Sequence, residues 1–374
     1  MNRMLRPIAA APERAINSGL HKIIFSRNFS HGTVRRLLIL FEPNRISYAS
    51  IFPFLEYEQD FRKQYDVEIR CLAISEALEE GVPDRLMSAT HVIGQTWLTD
   101  PRSRHEALER VFQKFPVSVK KAYIDSFANA DIRWAEIFRS ASLYFKKSIF
   151  CDDSEFSRTT YGDTNLADFY SKLYGLAENE TNWRVSNSLL QKLRLAPNFL
   201  TAPDLSLALL SPSLGRSKKD VDLHARLGGT SAGGWYGAMR KHAECIVDEL
   251  AGLHVVKGTG VSRRVFADEL SRSKVCFSPF GYGELCWRDI EAIAAGAVLI
   301  KPDMSHLRTE PDLYRDQETY IACRWDFADF ADKLHEILKD EEKRHRLTIN
   351  AKRIARDYLA SSGPVATYKD LFEV

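Results

Sequence analysis

Glu284, Arg288 and Glu291, spaced i, i+4 and i+7, follow directly on the turn Gly281-Tyr282-Gly283. On a helix beginning near Glu284 they would form one stripe, with a guanidinium between two carboxylates. A solvated stripe of this kind contributes only a few tenths of a kcal/mol. The glycine turn gives it a second meaning. A helix that starts right after a glycine loop presents orphan N–H groups and the positive end of its dipole, which favour a phosphate or nucleotide. Arg226, before Gly228-Gly229 at the end of a predicted strand, is a second candidate phosphate ligand, with a plain surface arginine as the alternative. Lys274 opens the strand leading into the turn and joins the same candidate set. Asp125, in YIDSFANADIRW, lies just past another predicted strand, where open α/β sheets carry their chemistry. An aspartate there can take a proton from an attacking hydroxyl, or it can close an Asx turn. Asp131 reads as the cap of a helix over 131–140.

These residues need a scaffold, and the stretch Lys274 to Asp303, KVCFSPFGYGELCWRDIEAIAAGAVLIKPD, supplies one. An apolar run ends at Pro279, the glycine turn follows, a helix runs from about Glu284 to Ala295, and Ala297 to Ile300 is a second apolar run. That order is a parallel βαβ unit. Ile290, Ile293, Ala294 and Ala297 form the buried stripe of its helix. The dinucleotide fingerprint G-x-G-x-x-G is only partly met, because Cys286 stands at its third glycine. Asp303 lies near the place of a ribose-binding acid, but Pro302 precedes it and too little chain follows for a six-stranded domain. An NAD(P)-dependent oxidoreductase is therefore the alternative reading.

A different pattern matches more residues. Ser278-Pro279-Phe280-Gly281, then Arg288, then Glu291-Ala292-Ile293-Ala294-Ala295-Gly296 and Ala297-Val298-Leu299-Ile300 resemble the donor-binding region of GT-B-type glycosyltransferases, particularly exostosin-like and related bacterial ones. The resemblance covers about Lys274 to Pro311. It implies two Rossmann-like domains facing each other across a cleft, an α/β, GT-B-like fold. Glu291 would bind the donor ribose and Arg288 the donor diphosphate. Gly283 occupies the first position of the paired-glutamate spacing, so Glu284 departs from the pattern. The implied activity is transfer of a sugar from a UDP- or GDP-linked donor to a glycan, lipid-linked or other hydroxyl acceptor. No cofactor is expected. Arg226, Arg288 and the helix start would do the electrostatic work a metal does elsewhere, in a metal-independent mechanism without an Asp-x-Asp motif. A non-catalytic nucleotide-binding partner in polysaccharide assembly is the third reading.

The bulk properties set bounds. The chain of 374 residues has room for two domains, and 45% hydrophobic with 27% charged residues is the composition of a globular protein. A formal net charge of +2 gives no reason to expect nucleic acid. Six scattered cysteines without a C-x-x-C pair read as free thiols in a reducing cytoplasm. Residues 1–36 carry seven Lys/Arg against Glu13 alone. They can form a basic amphipathic helix over Ala9 to Phe25 at the inner membrane surface, a poorly ordered leader, or a transit peptide. From Leu37, strands near 37–41, 67–72, 91–94, 121–124 and 144–149 alternate with helices, predicting a doubly wound acceptor domain over 37–200. Lys146-Lys147 and Asp152-Asp153 flank the next loop, where they either line the acceptor side or are solvated loop charges. A donor domain spans 201–355, and 356–374 form a tail that returns across the cleft. Residues 304–308 read as a polar loop.

Overall fold

The computed structural model describes residues 28–30, 32, 34–97, 99–134, 136–211 and 218–373. The amphipathic helix expected over Ala9 to Phe25 lies outside them, as does 212–217. The first lobe is built on strands β1 (Arg35–Phe41), β2 (Val67–Ala73), β3 (His91–Gln95), β4 (Lys120–Ile124) and β5 (Leu143–Lys146). Beyond them come β6 (Ser148–Phe150), the small ribbon of β7 (Thr160–Tyr161) with β8 (Glu180–Thr181), and β9 (Leu193–Leu195). The first sheet has the order β2-β1-β3-β4-β5-β9, and all its pairings are parallel. Its strands are covered on both faces, which is why β1 is the unbroken apolar run Leu37-Leu38-Ile39-Leu40-Phe41 rather than an alternating one.

The second lobe carries β10 (Val221–Ala225), β11 (Val255–Lys257), β12 (Ser273–Phe277), β13 (Val298–Pro302), β14 (Leu307–Thr309) and β15 (Ile321–Cys323). Its sheet, β11-β10-β12-β13-β15, is also parallel throughout. The molecule is thus an α/β protein with two parallel sheets. Two devices tie the lobes together. β14, in the stretch expected to be a polar loop, pairs antiparallel with β6, matching Leu307 with Phe150 and Thr309 with Ser148. The C-terminal helices Gly363–Ala366 and Lys369–Phe372 pack on the first lobe. There Val365, Tyr368, Leu371 and Phe372 join Leu37, Ile39 and Phe61 in one apolar cluster. Tyr57 donates to Leu359 O at 2.8 Å across the same boundary.

Three local expectations are corrected. The strand expected over 144–149 is two strands broken at Lys147. The described residues of 131–140 are bends, turns and irregular chain rather than a helix. The aromatic side chains there hold ring contacts instead: Phe138 stacks on Tyr123 at 3.7 Å and Trp134 on His105 at 4.0 Å. The helix after the glycine turn starts at Trp287, not Glu284.

Candidate functional site

The second-lobe turn is set by a buried ionic hub. Asp289, fully buried in the first turn of helix Trp287–Ala295, accepts from Ser278 Oγ at 2.6 Å, Tyr314 OH at 2.7 Å and Cys286 N at 3.1 Å. Lys301, also fully buried and on the neighbouring strand β13, completes it at 3.2 Å. Breaking such a buried pair is costly because the remaining charge is stranded. The carboxylate therefore clamps both ends of the loop 278–286 to the sheet. At its other end the helix stops on Gly296, whose φ of 68° is left-handed.

Clamped this way, Gly281-Tyr282-Gly283 faces a cavity of about 680 Å³ between the lobes. The first lobe contributes Ser126, Phe127, Ala128 and Lys147 from the loops following β4 and β5, and the second contributes Tyr236, Arg240, Arg288 and Glu291. Gly283 packs so tightly on the first lobe that a Cβ would fall 2.1 Å from Ala128 O. Tyr282 is 63% exposed and stacks on Tyr236 at 4.1 Å.

The cavity concentrates positive charge. Arg240, on helix Gly234–Asp248, is only 4% exposed. Its Nη2 makes a long 3.4 Å bond to Pro279 O, and its Nε and Nη1 have no hydrogen-bond partner among the described residues. Burial, and then the Arg288 charge, pull its pKa below the ordinary arginine value. Arg288 donates through Nη2 to Arg226 O at 2.9 Å, leaving Nε unpartnered. Lys147 is 9% exposed, and burial pushes its ammonium down to about 8, helped by the adjacent Lys146 charge and opposed by Asp125. Buried donors without acceptors cost free energy, and an anion is the kind of group that satisfies them.

The predicted site residues divide into two groups. Gly281, Tyr282, Gly283, Arg288 and Glu291 come together at the cavity. Four others do not. Arg226 is closed in a bidentate pair with Glu269, at 2.5 and 2.6 Å, and donates its remaining arm to Lys257 O. Its backbone carbonyl, not its charge, serves the site by holding Arg288. Lys274 sits at the start of β12, the end of the sheet away from the turn, and pairs with Asp222 at 2.7 Å. Glu284 precedes the helix, so the expected stripe does not form. It is fully buried, accepts from Asn165 Nδ2 at 2.8 Å and lies 3.7 Å from His306 Nε2. Asp125, 1% exposed, accepts from Tyr144 OH at 2.7 Å, Lys146 Nζ at 3.2 Å and Phe127 N at 2.7 Å. That is the Asx-turn alternative, and no oxygen is left facing the cavity to act as a base.

Arg240 is not among the candidates named from the sequence, whereas Lys147, expected beside an acceptor-side loop, does line the cavity. The signal for Arg240 was present, since it falls on the apolar stripe Tyr236, Ala243, Val247 of its helix, a place where arginine needs a reason. The expectation that no Asp-x-Asp occurs is also corrected: Asp220-Val221-Asp222 is one. Both carboxylates are engaged, with Arg272 and Lys274, on the side of β10 remote from the turn. No group of three or more His, Cys, Asp or Glu suited to a metal occurs among the described residues. Nor is any described helix long and apolar enough to cross a membrane.

No family model matches the sequence. No curated protein matches it either. Solved structures do. An α-glucosyltransferase in complex with UDP and a 13-mer DNA containing an HMU base superposes with a TM-score of 0.52 at 10% identity, covering 91% of this chain and 99% of that one. The α-glucosyltransferase AGT in complex with UDP gives 0.52 at 11% identity, covering 91% and 100%. An α-glucosyltransferase with UDP-glucose and DNA containing an abasic site gives 0.50 at 11%, covering 91% and 99%. At these identities the likeness establishes the fold, which is that of GT-B glycosyltransferases.

Proposed function

We propose that this protein is a glycosyltransferase that binds a nucleotide-sugar, UDP- or GDP-linked, in the cavity between its lobes. The observation that carries the reading is the pair Arg240 and Arg288, whose unpartnered N–H groups border the interdomain cavity beside the glycine turn. Fold neighbours solved with UDP or UDP-glucose support the same ligand class. The match of residues 278–300 to the exostosin-like pattern supports it from sequence.

In this reading the two guanidiniums and Lys147 hold the donor diphosphate, and Glu291 takes the ribose hydroxyls. An acceptor oxygen forms a bond to the anomeric carbon as the bond from that carbon to the diphosphate oxygen breaks. The acceptor proton leaves with a base, and negative charge builds on the departing nucleoside diphosphate. Preorganised cations that meet that charge accelerate the step without a metal. The acceptor is a glycan, lipid-linked or other hydroxyl compound. The expectation of no nucleic acid rests on net charge alone, and two of the fold neighbours were solved with DNA, so an acceptor panel includes duplex DNA.

Incubation with UDP-glucose, UDP-N-acetylglucosamine and GDP-mannose, with release of nucleoside diphosphate as the readout, tests the proposal. Release that persists in EDTA and falls about 10²–10³-fold in Arg288→Ala is expected, the size for one transition-state charge partner. No release from any donor, together with binding of NADH, would favour the oxidoreductase instead.

A further inference from the structure

The residue displaced from the helix, Glu284, points to a second cavity. The backbone from Gly283 to Leu285 borders the large cavity on one side. On the other, the two partners of the Glu284 side chain, Asn165 and His306, line a separate interlobe cavity of about 420 Å³. Its chemistry is the reverse of the first. Where the large cavity collects arginines, this one carries Asp152, Glu155, Asp168 and Asp303 against the single guanidinium of Arg158.

Those carboxylates are already oriented. Asp168 accepts from Tyr161 N at 2.6 Å, Lys172 Nζ at 2.8 Å and Arg158 Nη1 at 3.0 Å, contacts that together hold its pKa below the ordinary value despite its burial. Asp303 accepts from Ser305 Oγ at 2.6 Å and Asp152 from Ser154 N at 2.9 Å. Phe150, Phe169 and Trp325 supply apolar faces. Trp325 is fixed by its Nε1 bond to Asp303 O at 2.9 Å and by edge contacts to Phe169 and His306. Within this frame two polar atoms are left over. Asn165 is 5% exposed, and with its amide nitrogen given to Glu284 its Oδ1 has no partner among the described residues. His306 Nε2, at 3.7 Å from Glu284, is within ion-pair distance but beyond hydrogen-bond reach, and it makes no hydrogen bond among the described residues.

We propose that this cavity is a binding site for a neutral saccharide ring, separate from the donor cavity. Aromatic faces take the apolar C–H face of such a ring, oriented carboxylates accept its hydroxyl protons, and Asn165 Oδ1 and His306 Nε2 gain the hydrogen bonds they lack. The excess of carboxylates repels phosphates and nucleotides, so the donor does not compete for it. The inference does not depend on turnover: the site can bind a sugar whether or not the protein transfers one.

The test is calorimetric titration of the full chain with glucose, N-acetylglucosamine and maltose as neutral probes, glucosamine as a cationic probe and glucose 6-phosphate as an anionic one. Maltose or one of the neutral monosaccharides binds with a Kd of about 1 mM or tighter, and glucose 6-phosphate does not. Asn165→Ala and His306→Ala each weaken that binding about tenfold, while UDP affinity, measured on the same samples, stays at the wild-type value and shows them folded. Failure of all neutral probes to bind overturns the proposal. So does binding of glucose 6-phosphate stronger than that of the neutral probes, binding of glucosamine without any neutral probe, or neutral binding indifferent to both substitutions. Titration with UDP and GDP separates this outcome from failure of the transferase reading, because loss of binding by both nucleotides counts against that reading and leaves the neutral-sugar result unaffected.

Discussion

The two glycines of the turn, two residues apart, should respond to alanine in opposite ways, and the difference follows from geometry. Neither has a positive φ, so alanine suits the backbone at both. At Gly281 the added methyl meets Cys286 Sγ and Gly283 O at 3.5 Å, ordinary contact. At Gly283 it meets Ala128 O at 2.1 Å and Ala128 C at 2.2 Å, both backbone atoms of the other lobe that cannot swing aside. Restoring a normal separation requires the turn and the loop after β4 to part by more than 1 Å. Overpacking of that kind costs about 1–3 kcal/mol. A displacement of about 1 Å in a group that positions substrate lowers turnover about 100-fold. Differential scanning calorimetry should therefore place Gly281→Ala at the wild-type melting temperature and Gly283→Ala several degrees lower. Nucleoside diphosphate release by Gly283→Ala should fall about 100-fold. Wild-type melting and turnover in Gly283→Ala would refute the claim that the lobes meet through this residue.

Other expectations follow from buried charge and from the lobe contacts. Burial, and then neighbouring Glu284, push Asp131 up from 3.8 to about 7. The folded state then holds a proton the unfolded chain has lost between about pH 4 and pH 7, so stability falls as pH rises through that window. At about 1.4 kcal/mol per unit the loss is at most about 4 kcal/mol; urea midpoints from pH 4.5 to 7.5 measure it, and Asp131→Asn flattens the profile. Lys147 is pushed down to about 8, so its charge is lost as pH rises past 8. UDP affinity then declines between pH 7 and 9 with proton uptake on binding, and Lys147→Met removes both effects in calorimetry. Tyr368→Ala, which empties a fully buried position packed on Phe54 at 4.3 Å and Phe145 at 5.0 Å, costs about 3–5 kcal/mol by urea denaturation.

What the sequence revealed is what local pattern controls. The unbroken apolar run at 37–41 gave a parallel strand, and Gly281-Tyr282-Gly283 does open onto an interlobe cavity. The fold class followed from that alternation. Long-range contacts decided the rest. β14 is a strand only because β6 is there to pair with it, and β9 is three residues at a sheet edge in an irregular, proline-bearing stretch. Glu284 leaves its stripe because Asn165, far away in sequence, takes its carboxylate. Asp125 and Arg226 stood at the right strand ends but were neutralised by Lys146 and Glu269, partners that spacing does not disclose. Arg240 stands among the charges of MRKHAE, so its place on the stripe with Tyr236, Ala243 and Val247 is the one sequence signal of its burial, and packing confirms it.

The central claim, that buried Arg240 and half-buried Arg288 in the interlobe cavity hold a nucleoside diphosphate, is tested most directly by titrating UDP and GDP into the wild-type protein and Arg240→Met. The account predicts saturable binding of at least one nucleotide, weakened about 10- to 150-fold by the substitution, the equivalent of a charged hydrogen bond at 1.5–3 kcal/mol. The variant without nucleotide should melt no lower than wild type, because a buried charge facing Arg288 has been removed. Equal nucleotide affinity in the two proteins, or no binding by either, would contradict it.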